Sequence, residues 1–329
     1  MTFEDLIGHK RVISLLLEAS KSERLHPVYI FSGPDSIGKR QVALNFAKAL
    51  NCRAKNIPCY QCPSCKKIEN MNSPDVFQVG PAGRSSRIGI DAIRLLKKET
   101  GTRPYESKYK VYIVDNAERL TQEAGNSLLK ILEEPPPNNI FILLTCAPRK
   151  ILSTISSRAC MIRFGVESLD GLNASLIQKF GLSREEAFFI SRYSHGRIGR
   201  AINMINEDVA KKKNAAIDRV SGCLVSGMPS VEASEWECKD RGKLREDLSY
   251  ILTWLRDIFV SKISKNPKYI FNIDRIDETS DIAGRISFES LNDLISKFLK
   301  LDSCIEYNVN TKLIVDALIC EVMNVNLKD

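Results

Sequence analysis

Residues 28–40 read VYIFSGPDSIGKR, and their reading decides the fold. Val28 to Phe31 form a short apolar run that leads into Gly33, then Gly38-Lys39, then a helix-periodic segment over residues 41–50. Strand, glycine loop, helix is the context in which a phosphate-binding loop is credible. The free N–H groups of a helix N-terminus attract anions, and the lysine adds a point charge for terminal phosphates. The position after Lys39 ordinarily carries a Ser or Thr whose hydroxyl holds Mg²⁺. Here it is Arg40, a side chain with donors only, which cannot ligate a cation.

Four further apolar runs surround this segment. DVFQV at residues 75–79 predicts a second strand. KVYIVD at residues 110–115 is nearly continuous apolar sequence ending in an acid, the pattern of a buried parallel strand. An acidic residue at such a strand's C-terminal end faces the crevice where α/β sheets bind ligands, and in phosphate-loop proteins it holds Mg²⁺. Hydrolytic members place a glutamate next to activate water. This chain has Asp115-Asn116-Ala117-Glu118, and an amide cannot accept water's proton. IFILLT at 140–145 and residues 160–164 complete five strands. The intervening segments have helical period, so a mostly parallel α/β sheet is expected. The helix over 120–134 has Thr121 as its N-cap and is stopped by Pro135-Pro136-Pro137.

The chain has 329 residues, 43% hydrophobic and 27% charged, the profile of an ordinary globular protein of two or three domains. No apolar run approaches a membrane span, and the N-terminus MTFEDLIGHK lacks a signal-peptide layout, so the cytosol is expected. The net charge of +8 is uneven. Residues 1–164 carry 25 Lys+Arg against 15 Asp+Glu, and the remainder 23 against 25. The basic half is compatible with a polyanionic partner and equally with solvated lysines. Arg84 and Arg87, with Arg94, Lys97 and Lys98 on the polar side of a helix over 90–98, form a weak nucleic-acid signal.

Four of the ten cysteines, Cys52, Cys59, Cys62 and Cys65, fall within one insert after the loop helix. The spacing C-x6-C-x2-C-x2-C lets four thiolates meet around one tetrahedral Zn²⁺, with Pro58 and Pro63 fixing the turns. Metal ligation would hold together an otherwise loop-like insert. A redox pair is the alternative. Four sulfur ligands leave no open position for catalysis.

Beyond residue 167 the strand patterns stop. Residues 169–180, 183–194 and 197–205 read as three helices, with a capping box at Ser183 and Glu186. Residues 244–263, 288–301 and 309–324 read as further helices. This region holds no catalytic-looking cluster, and an all-helical packing or assembly module is expected.

Together these residues resemble the bacterial clamp-loader branch of the AAA+ proteins, the DNA polymerase III clamp-loader subunits. LIGHKRVISLLLEASKSERLHPVYIFSGP is similar to that family's opening, and the four-cysteine insert is a feature of its gamma/tau and delta-prime subunits. LTQEAGNSLLKILEEPP and FILLTCAPRKILSTISSR resemble its later nucleotide motifs. The similarity is strong over residues 1–205. It implies a RecA-like phosphate-loop domain with a five-stranded parallel sheet (residues 1–164, zinc insert 52–65). A three-helix lid (165–208) and a helical collar for oligomerisation (209–329) follow.

The departures favour the family's non-motor, delta-prime type. The positions that in motor subunits hold Thr, Glu and the sensor arginine are Arg40, Asn116 and Gly199, and Ser36 replaces a glycine. Arg200 is one residue off register, about 100° around a helix. Gly33, Gly38, Lys39, Asp115 and Thr145 remain as a degenerate nucleotide site in which ATP/Mg²⁺ binding is doubtful. The resemblance assigns Arg158, in Ser157-Arg158-Ala159, as an arginine finger toward a neighbouring gamma/tau subunit's ATP. It implies gamma/tau and delta subunits, the sliding clamp and primer–template DNA as partners. The competing readings are an ATP-hydrolysing motor of the same fold and a zinc-bearing DNA-binding module.

Overall fold

The structure is a computed structural model that describes residues 3, 7–22, 24–81, 87–226, 228, 233, 236, 240–264, 266–307 and 309–325. Strand β1 (Val28–Ser32) is buried at every position. It leads into helix α2 (Lys39–Asn51), with α1 (Lys10–Ser22) before it. Strands β2 (Val76–Val79), β3 (Lys110–Val114), β4 (Asn139–Thr145) and β5 (Cys160–Arg163) complete one sheet of order β2-β3-β4-β1-β5. Every pairing is parallel; Val28 sits opposite Phe141 and Tyr29 opposite Cys160. The five expected strands are present, and β1 lies inside the sheet with a neighbour on each side.

Strand periodicity sorts the side chains into two cores. Tyr29, Phe31, Val111, Ile113, Ile140, Ile142 and Leu144 pack with Leu16, Val42 and Phe46 from α1 and α2. Val28, Ile30, Tyr112, Val114, Phe141 and Leu143 pack on the opposite face, with residues of α4 (Ile90–Thr100) and α5 (Gln122–Glu133). Covering both faces is what a parallel sheet demands. Thr121 caps α5, its hydroxyl accepting from the Ala124 N–H.

Two local expectations need correction. The cysteine insert is not wholly loop: Pro63–Glu69 forms helix α3, with Pro63 in its first turn and the Cys62 thiol accepting from the Cys65 N–H. A proline is favoured there because its missing N–H has no intrahelical partner to lose. Asp75 is not a strand residue but a fully buried anchor. Its carboxylate accepts from the N–H groups of Tyr105, Glu106 and Ser107 at 2.8, 3.0 and 2.9 Å. A second long-range clip joins Asn51 to Tyr109, where amide and backbone exchange two hydrogen bonds of 3.0 and 2.9 Å.

The chain divides into two compact units, Met1–Ser168 with Gly196–Arg200, and Leu169–His195 with Ala201–Asp329. In the second, α7 (Leu169–Phe180) packs on α8 (Arg184–Tyr193), whose Ser183–Glu186 capping box is formed. Helix α9 (Ile198–Asn206) is followed by α10 (Val209–Ser226), α11 (Arg241–Ile263), α12 (Ile276–Arg285), α13 (Phe288–Glu306) and α14 (Thr311–Met323). Trp254 is fully buried in α11. Three residues on in the same helix, buried Asp257 accepts from the backbone of Phe271 and Asn272 at 2.9 and 2.8 Å. Buried Lys213 of α10 meets Asp274 at 2.7 Å and lies 4.7 Å above the Phe189 ring. Among the described residues, no helix is long and apolar enough to cross a membrane.

The Asp75 anchor gives a stability prediction. Burial alone would raise its pKa, but the backbone donors of Glu106, Tyr105 and Ser107 outweigh it and hold the carboxyl below its ordinary range. A depressed folded pKa stabilises above the unfolded value of about 3.9, and the benefit fades as pH falls through the folded value. Asp75→Ala is expected to cost about 2–4 kcal/mol in urea unfolding at neutral pH, since three buried N–H groups lose their acceptor. The gap between variant and wild type should narrow below about pH 4.

Candidate functional site

The loop between β1 and α2 is built from close backbone approaches. Gly33 donates to the Thr145 carbonyl at 3.1 Å. A Cβ on Gly33 would lie 2.5 Å from the Phe164 carbonyl oxygen, so glycine is required. Gly38 caps α2 with φ 99°, a left-handed conformation that glycine adopts without strain. Lys39, the first residue of α2, is buried, and its ammonium donates to the carbonyls of Gly33 and Pro34, both at 2.7 Å. Burial lowers its pKa, and the nearby Asp35, Cys146, Glu118 and Asp115 oppose that shift.

Arg40 turns outward. Its guanidinium donates to the Gln78 side-chain oxygen on β2 at 3.2 and 2.9 Å. Asp115 follows the last residue of β3, and its carboxylate accepts from the Asn116 N–H at 3.0 Å. Asn116 has φ 52°, a left-handed conformation that asparagine tolerates better than most residues. Thr145 ends β4, buried, with its hydroxyl accepting from the Ala147 N–H at 3.0 Å. Lys39, Asp115 and Thr145 thus come from the ends of α2, β3 and β4, as the sequence pattern requires.

Two participants escaped sequence reading. Glu118 accepts from the Cys146 thiol at 2.8 Å. Burial pushes its carboxyl up, but Cys146 and Thr145 hydrogen bonds reverse the shift, and Cys146 is itself driven up to about 11. The only signal was an acid three residues past Asp115. His9 is the second: its Nε2 donates to the Ile37 carbonyl at 2.8 Å, and its ring meets Phe164 edge-on at 5.0 Å.

Arg158 lies apart from these residues along the chain, between α6 (Ser153–Ser156) and β5. It is half exposed; one guanidinium nitrogen donates to the Thr154 carbonyl at 3.1 Å and another lies 3.9 Å from the Glu133 carboxylate. Of the basic residues around α4, Arg94 pairs with Asp91 at 3.1 Å, Arg87, Lys97 and Lys98 are exposed, and Arg84 lies outside the described residues.

The four predicted cysteines meet. The sulfurs of Cys52, Cys59, Cys62 and Cys65 all lie within 4.8 Å of one another, a cluster that could hold a metal ion. Backbone N–H groups of Cys59, Cys62 and Cys65 point at the sulfurs of Cys52, Cys59 and Cys62, at 3.3, 3.4 and 3.5 Å. Such donors favour thiolate. The N–H groups of Gln61 and Cys62 lower the Cys59 pKa to about 6, whereas burial raises Cys52 and Cys65.

A two-sided parallel sheet, a glycine loop closed by a lysine, and an acid at the next central strand's end define a phosphate-loop α/β protein. Arg40 follows the loop lysine, and Asn116 follows the acid. Two family models agree with a more specific placement. That for DNA polymerase III, delta subunit, matches residues 8–168, and that for the C-terminal part of the delta subunit matches residues 230–323. The chain belongs to this family of DNA polymerase III clamp-loader subunits.

DNA polymerase III subunit delta' of Bacillus subtilis is 27% identical over 315 residues, covering 94% of each chain. The tau subunit of the same organism is 29% identical over 322 residues, 89% of this chain but 56% of tau. The chain therefore spans little more than half of that relative. A solved gamma subunit-related protein of Thermotoga maritima is 19% identical, covering 94% of this chain and 98% of that one, with a TM-score of 0.46.

Metal titration tests the cysteine cluster. Cobalt(II) added to the reduced chain is expected to give sulfur-to-metal absorption that Cys62→Ser abolishes. Binding should weaken on acidification, because the ligands must shed protons.

Proposed function

We propose that this chain is a delta-prime-type, non-motor subunit of the DNA polymerase III clamp loader. In this reading it supplies Arg158 in trans to a neighbouring gamma/tau ATPase and takes part in loading the sliding clamp on primed DNA. The observation that carries the reading is Arg40. A guanidinium occupies the position of the cation-binding hydroxyl and is engaged by Gln78 of β2. Asn116 beside Asp115 removes the base from the same chemistry, and Gly199 removes the sensor arginine. A chain without these three groups has a phosphate loop as a fold element and little means of turning over ATP by itself.

Arg158 has the opposite character. It is half exposed, beside an edge strand, and lightly held by one carbonyl and one distant carboxylate. An arginine so presented can add positive charge to a phosphoryl-transfer site on another subunit. The four sulfurs suit Zn²⁺ in a structural role, since they fill a tetrahedral shell. The helical unit would dock against gamma/tau and delta subunits in the assembled complex, in the cytosol.

A second reading, an ATP-hydrolysing motor, is favoured by retained Lys39 and Asp115, whose charges interact across the loop. Steady-state turnover separates the two. The isolated chain is expected to hydrolyse no more ATP than its Lys39→Ala variant; activity that vanishes with Lys39→Ala would establish the motor. In a reconstituted clamp loader, Arg158→Ala should lower ATP turnover while leaving assembly intact, with hydrolysis at the neighbouring site slowed by about 10³-fold. Unchanged turnover would remove Arg158 from the mechanism.

A further inference from the structure

The segment Gly196–Arg200 belongs to the same compact unit as the phosphate loop, although nearly all of the chain around it belongs to the other. It approaches the loop backbone to backbone. The Gly199 N–H donates to the Ser36 carbonyl at 2.7 Å, and the Arg200 N–H reaches the same oxygen at 3.3 Å. A Cβ on Gly199 would lie 2.7, 3.1 and 3.4 Å from the oxygen, carbonyl carbon and Cα of Ser36. Those are backbone atoms with no flexible end to move aside. The seat therefore admits only glycine at 199.

The loop side of the contact carries a cost. Ser36 has φ 56°, a left-handed backbone uncommon for a residue with a side chain. Two N–H groups on its carbonyl offset that strain. Neighbouring loop carbonyls are also taken by donors of this chain: Gly33 and Pro34 by Lys39, and Ile37 by His9. The segment is itself held at its other end, where Glu167 donates to the Gly196 carbonyl at 3.2 Å. A Cβ on Gly196 would meet the Glu167 carbonyl oxygen at 2.5 Å.

We propose that Gly196–Arg200 is an internal clamp that orders the phosphate loop through main-chain hydrogen bonds, independently of nucleotide, and that Gly199 is the residue that permits it. The inference rests on the non-motor reading and extends it. Replacing the sensor arginine by glycine does more than delete a phosphate contact: it lets the chain close on its own loop. The subunit then has one loop conformation through a cycle in which its neighbours change nucleotide state.

Hydrogen–deuterium exchange on the full chain tests the clamp, with MgADP as the probe. In the wild type, peptides covering residues 33–40 and 196–201 should exchange slowly, at rates that saturating MgADP leaves unchanged. In Gly199→Ala both peptides should exchange on the order of tenfold faster, the consequence of losing two backbone hydrogen bonds. Fast loop exchange in the free wild type that MgADP slows would overturn the proposal, as would unchanged exchange in Gly199→Ala. If circular dichroism shows the variant unfolded, the wild-type comparison decides alone. Exchange reports the clamp and ATP turnover reports the non-motor reading, so the two can fail separately.

Discussion

Strand β1 is fixed from four directions. Its edges are paired with β4 and β5, and its faces are buried in separate cores. A strand so enclosed cannot shift register without moving Tyr29 and Phe31 into the core built for Val28 and Ile30. The exit at Gly33 is fixed with it, because the Phe164 carbonyl leaves no room for a Cβ. The loop, the lysine that closes it and the start of α2 all follow from that point. Neither Arg40 nor Asn116 belongs to the two cores, so the sheet depends on neither of them.

Much of this was legible in the sequence because it is local. Residues 28–40 combine a strand period, two glycines and a helix period within one short window. Four cysteines close in sequence had few ways to be placed except together. Ser183 and Glu186 announced their capping box three residues apart. What the sequence concealed lies across long separations or rests on one backbone atom. Asp75 looked like the first residue of a strand; its role depends on the N–H groups of residues 105–107. Helix α3 carried a start signal in Pro63, but four cysteines and two prolines made the insert read as loop. The Ser36–Gly199 contact is main chain to main chain, and no side-chain pattern encodes it.

The buried charges show how the molecule handles desolvation. Asp75 is satisfied by backbone donors, Lys110 by the Glu99 carbonyl and the Thr102 hydroxyl, and Lys213 by Asp274. Asp75 ties the approach to β2 to residues 105–107, Lys110 ties β3 to the end of α4, and Lys213 ties α10 to Asp274. Such groups add little net stability compared with apolar replacements, but breaking one leaves an uncompensated charge. They define where irregular chain must lie, which hydrophobic burial alone does not do.

Arg158 illustrates a different economy. An arginine free to sample all its rotamers surrenders up to roughly 2 kcal/mol of side-chain entropy when a target immobilises it. Here the Thr154 carbonyl already restrains the guanidinium in the free chain, while Glu133 stands too far away to hold it firmly. Part of the ordering penalty is thus met before any partner arrives, and the tether is weak enough to release. On the proposed reading, such a side chain would need to select only among a few poses on meeting an anion of a neighbouring subunit.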